Sequence, residues 1–397
     1  MTTIDSGPPA EPTNEARFTT LALGGASVTF VLIGLVSSVY GPLLIPFSHR
    51  FGLSVSRAGV VLSVHFLGSC VGMLGAWSAT RVATGRQVLY ASLGLLAAGA
   101  LIVTWATRWN QLLGAVFVVG LGYGGLDFSL NTLLARTAEE GRARRLSVPN
   151  AGFGVGAVIG PLLVIAVHPA HFTTIFLIVG LVAAVSVALT VGVAAPPVRE
   201  VATAPFSGTE RSRRRRILGN FVGAYVIYIA LETGLSGWIA TDLRHEGHGA
   251  TVASLVTALF WAGFALGRML GGPLHRHVGV RRLVLVGLGA TALLALGASV
   301  TAVAPWAFSV AGVALASIFP MGLIWYSELC PDDVHGLAVI IVTMNVGGVL
   351  GPSALSVAVA LGGVHVVPVA IAALAALNVA CFGYATRWVE RVEPLVA

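Results

Sequence analysis

The chain has 397 residues, 56% hydrophobic and only 10% charged, with 23 basic against 16 acidic side chains. Ordinary soluble domains carry about 25% charged residues, so this composition excludes a soluble enzyme and points to a chain that crosses a bilayer many times. Every one of the 23 basic residues is an arginine, and their placement along the chain assigns them to membrane topology and excludes nucleic acid as a partner.

Residues 1–17 hold three prolines and three acids and read as a disordered tail. The apolar run from Phe18 to Phe47 is too long for a signal-peptide core, and no small-residue cleavage site ends it. It reads as a first span. A span needs about 20 apolar residues, and eleven more runs qualify: 56–78, 87–107, 111–135, 147–168 and 172–195, then 217–241, 250–273, 283–303, 305–328, 335–361 and 365–387. The stretch 196–216 contains Pro196, Pro197 and Pro205 and the run Arg213–Arg216. It reads as a basic cytoplasmic linker between six-helix bundles over 18–195 and 217–388, with a tail at 389–397. The expected fold is therefore all-α, with twelve transmembrane helices in two halves.

With both termini cytoplasmic, only Arg50, Arg57, Arg108 and Arg244 fall outside, and Arg268 lies within a span. That is a strong positive-inside bias. The 211–216 cluster can also touch anionic lipid, the one macromolecular surface expected as a partner. Cys70, Cys330 and Cys381 have neither metal-ligand nor disulfide spacing. The halves repeat weakly. Gly156-Ala-Val-Ile-Gly160-Pro161 in the fifth span answers to Gly347-Gly-Val-Leu-Gly351-Pro352 in the eleventh. A duplicated six-plus-six chain fits alternating access.

Two acids lie inside spans. Asp127 follows the glycine-rich stretch Gly120–Gly125, and Asn131, four residues on, shares its helix face. A charged carboxylate at mid-membrane costs about 2.5–3.5 kcal/mol on insertion scales, so its presence points to a working group that loads and unloads a proton. Glu232 sits in the seventh span with Tyr228 and Tyr225 on its face and is the second candidate for proton coupling. Asn150, Asn345 and Trp261 join Asn131 and Tyr228 as candidates for binding solute, since amides bond hydroxyls and aromatic faces stack on rings. Arg268 and Glu328, both toward the cytoplasmic side, are expected to pair as a latch or gate. His65 in the second span suits a proton relay and a packing role equally. Trp105, Trp109 and Trp306 near span ends read as interfacial anchors. No P-loop, nucleophile elbow, zinc motif or dinucleotide fingerprint stands in a soluble segment; the expectation is no enzyme, no metal and no cofactor beyond a proton gradient.

From its tail onward the chain resembles the major facilitator superfamily. The family's short cytoplasmic signature survives in reduced form as Gly272-Pro-Leu-His275-Arg276-His277-Val-Gly279-Val-Arg281-Arg282, without its acid. Within the superfamily it is most similar to the fucose permease branch of sugar–proton symporters, through Asp127-x-x-x-Asn131, the run Ala151–Pro161, Tyr228-Ile-Ala-Leu-Glu232 and Phe260-Trp261 ahead of Gly267-Arg268. The resemblance implies that Asp127 carries the proton. It also implies a monomer in a bacterial inner membrane that takes up a small, sugar-like solute. The chain departs from that branch in having no acid in its first span and an asparagine at Asn150, where many relatives have histidine. The competing expectation is efflux of a drug or secondary metabolite by proton antiport.

Overall fold

The computed structural model describes residues 16–137, 142–194, 208–331 and 333–389. The helices are α1 (Thr20–Phe51), α2 (Val55–Ala79), α3 (Gly85–Trp105), α4 (Trp109–Ala135), α5 (Arg142–Val167), α6 (Phe172–Leu189), α7 (Gly208–His245), α8 (Ala250–Val278), α9 (Val280–Gly297), α10 (Ala304–Ala316), α11 (Ile318–Leu329), α12 (Val334–Thr343), α13 (Asn345–Gly362) and α14 (Val367–Val389). Among the described residues twelve spans are long and apolar enough to cross a membrane, because α10 and α11 together make the tenth and α12 and α13 the eleventh.

Local chemistry sets these boundaries. Thr19 caps α1 by accepting from Ala22 N at 3.2 Å, and Thr84 and Gln87 form a capping box at the start of α3. Gly52, left-handed at φ 62, closes α1. The tenth span breaks at Ser317 because Pro320 has no N–H for the carbonyl of Ala316 and its ring collides with that group. The eleventh breaks at Met344–Asn345, just ahead of the flexible pair Gly347-Gly348.

A short antiparallel pair, β1 (Arg17–Phe18) with β2 (Val193–Ala194), ties the start of α1 to the exit of α6. Both ends of the first half therefore lie on one face of the bundle, here the terminal face; the opposite one is the far face. The expected linker over 196–216 is corrected in part: α7 is already helical at Gly208, so the run Arg213–Arg216 forms its early turns. Arg214 donates to the Pro331 carbonyl at 3.1 Å, holding that end against the α11–α12 turn. The expected disordered tail at 1–15, the rest of the linker at 195–207 and residues 390–397 lie outside the described residues.

Glycines determine how closely the helices approach. A Cβ on Gly120 or Gly124 would strike the carbonyls of His65 and Ser69 on α2, and one on Gly122 or Gly125 would strike Leu96 and Ser92 on α3. The glycine-rich stretch thus lets α4 sit between α2 and α3 at backbone contact. The duplicated motif has the same use in both halves. Gly156 meets Val31 of α1, and Gly347 and Gly351 meet Val226 and Ala230 of α7. The two halves face each other through α1–α7, α2–α13 and α5–α8, whereas α4 packs on α1, α2, α3 and α5 of its own half.

Candidate functional site

Asp127 and Asn131 continue the stripe that Gly120 and Gly124 begin, at a period of about two helical turns per seven residues. Asn131 Nδ2 donates to Asp127 Oδ1 at 3.0 Å and to the Asp127 carbonyl at 2.9 Å. Asn150, on α5, donates in turn to Asn131 Oδ1 at 3.4 Å. Three residues named from sequence thus form one hydrogen-bonded run. Asp127 and Asn131 are half-buried and Asn150 is exposed, so the run leads from a helix interface to an accessible surface.

The second half contributes Glu232 and Arg268. Glu232 is nearly buried, 9% exposed. Tyr228 lies against it but its hydroxyl makes no hydrogen bond of good geometry. Around Tyr228 are Tyr225, at 6.2 Å between ring centroids, and Phe319 at 6.4 Å; Tyr225 itself donates to the Phe319 carbonyl at 2.6 Å. Tyr228 is thus enclosed in the second half rather than presented on an open wall.

The expected Arg268–Glu328 latch is corrected. Among the described residues Arg268 makes no ion pair; its guanidinium lies 4.5 Å from the Phe264 ring centroid and 5.8 Å from that of Phe319. Its charge is within electrostatic reach of Asp127 in the first half and of Glu232 in its own. Glu328 is exposed at the end of α11. The physical reason is depth. Arg268 stands about three turns inside α8 from its terminal-face end at Val278. A cation that far from the interface is drawn to the two intramembrane acids instead.

Two other candidates sit at the seam between the halves. Trp261 packs edge-on against Phe153 of α5 at 6.1 Å and against Phe264 at 5.4 Å, and is 3% exposed with Nε1 unpartnered. Asn345 marks the break in the eleventh span; its amide donates to the Ile341 carbonyl at 3.2 Å and to Met73 Sδ across the seam at 3.6 Å. His65 is fully buried among Tyr40, Phe66 and Tyr123, with ring centroids 4.9–5.2 Å away, which is a packing environment. Tyr123 was not singled out by sequence. It lies four residues before Asp127 and feels Asp127, Glu232 and Arg268 together; the i,i+4 spacing was its one available signal. Trp105 and Trp306 are 79% and 74% exposed at span ends, as anchors are, while Trp109 packs on Phe51 at 5.6 Å.

The Major Facilitator Superfamily profile matches residues 26–308 and 217–396. Probable anion transporter 6, chloroplastic, of Arabidopsis thaliana is 32% identical over 146 residues, covering 36% of this chain and 28% of that protein's length. The glucose/mannose transporter GlcP of Bacillus subtilis is 21% identical over 309 residues, covering 74% of this chain and 77% of its own. Among solved structures, a bacterial homolog of the human lysosomal transporter Spinster superposes with a TM-score of 0.75 at 16% identity, over 96% of this chain and 98% of that one. The E. coli fucose:proton symporter does so with a TM-score of 0.63 at 15% identity, over 93% and 99%. At such identities the structural likenesses speak for the fold. With the profile matching both halves and twelve spans packed as two repeats, the chain belongs to the Major Facilitator Superfamily and is an integral membrane transporter rather than an enzyme.

Proposed function

We propose that this chain is a proton-coupled secondary transporter, moving a small hydroxylated, sugar-like solute across the cell membrane by alternating access of its two halves. The observation that carries this reading is the run Asn150–Asn131–Asp127, with Arg268 of the other half within electrostatic reach of Asp127. A carboxyl that meets an accessible surface on one side and a cation on the other can exchange a proton and report the exchange across the seam. Protonation removes the charge that is expensive to occlude and loosens the hold of Asp127 on Arg268, so proton and solute binding favour the same rearrangement. The amides of Asn131, Asn150 and Asn345 suit hydroxyl groups. Trp261 and Tyr228 are spent on packing against other rings, which supports a polar solute over a lipophilic drug. The arginine bias supports cytoplasmic termini, and the likeness to the Bacillus subtilis glucose/mannose transporter supports a bacterial cell membrane.

The test is proton movement in proteoliposomes containing the full chain, with Asp127→Asn beside wild type. Solute-evoked proton influx that disappears in the variant, while solute counterflow persists, is expected. Proton-driven accumulation by the variant would end the assignment of Asp127 as carrier.

A further inference from the structure

A cavity of about 560 Å³ opens at the far face, on the seam between the halves. His49 and Arg50 enter it from the end of α1, His168 from the α5–α6 turn, Thr241 and Arg244 from the end of α7, and Ser254 from the start of α8. Among the described residues its lining contains no carboxylate. Asp242 and Glu246 are close in sequence, yet Asp242 is 1% exposed and neither acid lines the cavity.

Three observations set this cavity apart from a chance gap. First, only four arginines fall on the far side of the membrane when Arg268 is placed within a span and the others are counted inside, and two of the four, Arg50 and Arg244, one from each half, line this volume. Like charges brought to one cavity repel unless an anion joins them. Second, Thr241 is 1% exposed with a hydroxyl that has no partner, beside the cations. Third, His168 is the sole non-glycine residue with positive φ among the described residues, at 69°, an uncommon backbone state that clusters at ligand-binding walls. Deeper in the same seam Arg268 makes no ion pair among the described residues, and the rings of Phe264 and Phe319 lie against it.

We infer that the far-face cavity captures a small carboxylate, and that the transported solute is a hydroxylated organic anion which passes from Arg50 and Arg244 to Arg268. This rests on the transport reading above and narrows its solute. The charges balance: while Asp127 is ionised it competes for Arg268, and once it is protonated the guanidinium is released to the carboxylate of the solute. Arg268 then binds in bidentate fashion, while the neighbouring amides take the hydroxyls.

The experiment is titration calorimetry on the full chain in nanodiscs with D-glucuronate, D-gluconate, L-lactate and D-glucose. At least one of the three carboxylates should bind and glucose should not. Arg50→Gln and Arg244→Gln should each weaken that binding about ten-fold or more, the scale of a lost charge-assisted hydrogen bond. Arg57→Gln, which removes a far-face arginine outside the cavity, should leave it unchanged, and Arg50→Lys should restore most of it. Glucose binding as tightly as the carboxylates, no binding by any of the three, or an equal loss in Arg57→Gln would overturn the inference. Asp127→Asn separates the two readings: it should keep anion binding even though it loses proton-driven accumulation. Proton influx evoked by glucose alone would leave proton coupling standing and remove the anion.

Discussion

The two acids inside the membrane, one in each half, occupy opposite surroundings. Asp127 is half-buried and accepts a hydrogen bond from Asn131, whose partner Asn150 reaches an exposed surface. Glu232 is enclosed beside Tyr228 with Tyr225 and Phe319 behind it, and Tyr228 offers it no well-formed hydrogen bond. Placed alike by hydropathy, the two carboxyls differ in access: one has a polar route to its oxygen and the other has rings. A proton needs such a route, which is why the proposed carrier is the acid on the polar run, while the enclosed one is proposed to set the charge seen by Arg268.

The sharpest way to break this comparison is to neutralise each acid in turn. Asp127→Asn should reduce proton-driven uptake to passive equilibration, whereas Glu232→Gln should retain accumulation with a changed KM. Uptake assays in energised vesicles would show it, and the reverse ranking would exchange the two roles. Next in size is the cation both acids share. Arg268→Gln should lower kcat/KM about ten- to hundred-fold, the scale of a charged hydrogen bond left unmade, while Glu328→Gln should leave it unchanged. Equal losses in the two variants would restore the latch that sequence suggested.

That correction marks where the sequence stops being readable. The twelve spans were legible because the bilayer imposes one length and one composition on every crossing. The Asp127–Asn131 contact was legible because a helix sets it within four residues. That each glycine motif packs on the first helix of its half, Gly156 on α1 and Gly347 on α7, comes from the structure, while the correspondence of the two motifs was legible from the repeat. The environment of Arg268 was not, since the acid it faces in the first half lies 141 positions away in the numbering and on another bundle. Placing Arg268 and Glu328 near one face of the membrane was a statement about depth, and depth alone does not choose a partner. The far-face cavity was hidden for the same reason: its walls come from α1, the α5–α6 turn, α7 and α8. The breaks in the tenth and eleventh spans had visible causes in Pro320 and Gly347-Gly348, but a proline inside a hydrophobic run signals a disturbance without saying whether the helix kinks or restarts.

The repeat offers a third contrast, in stability. At Gly156 a side chain would meet the carbonyl of Val31, backbone against backbone with nothing able to yield, whereas at Gly94 nothing lies within 4 Å. Gly156→Val should cost about 1–3 kcal/mol through overpacking, read as a lower thermal midpoint in detergent. Gly94→Ala should match wild type or exceed it slightly, by up to about 1 kcal/mol from helix propensity. Gly347→Val, its counterpart against Val226 on α7, should resemble Gly156→Val if the halves truly pack alike.

The smallest effect concerns the outer end of the polar run. Asn150 donates to Asn131 at 3.4 Å, the longest link of the three. Interhelical hydrogen bonds inside membranes are worth about 0.6 kcal/mol on average, so Asn150→Ala should slow proton-driven uptake only about three-fold. Asn131→Ala removes the two shorter donations to Asp127 and should cost more. The order of the two carries the argument. If the run serves to conduct and position a proton, damage grows toward the carboxyl, and Asn131 outranks Asn150. If instead the amides serve mainly to grip solute, the exposed Asn150 matters as much as Asn131, and the loss appears in KM with kcat preserved. Measuring kcat and KM for both variants at one pH separates the two, because a proton run weakens turnover whereas a grip weakens affinity.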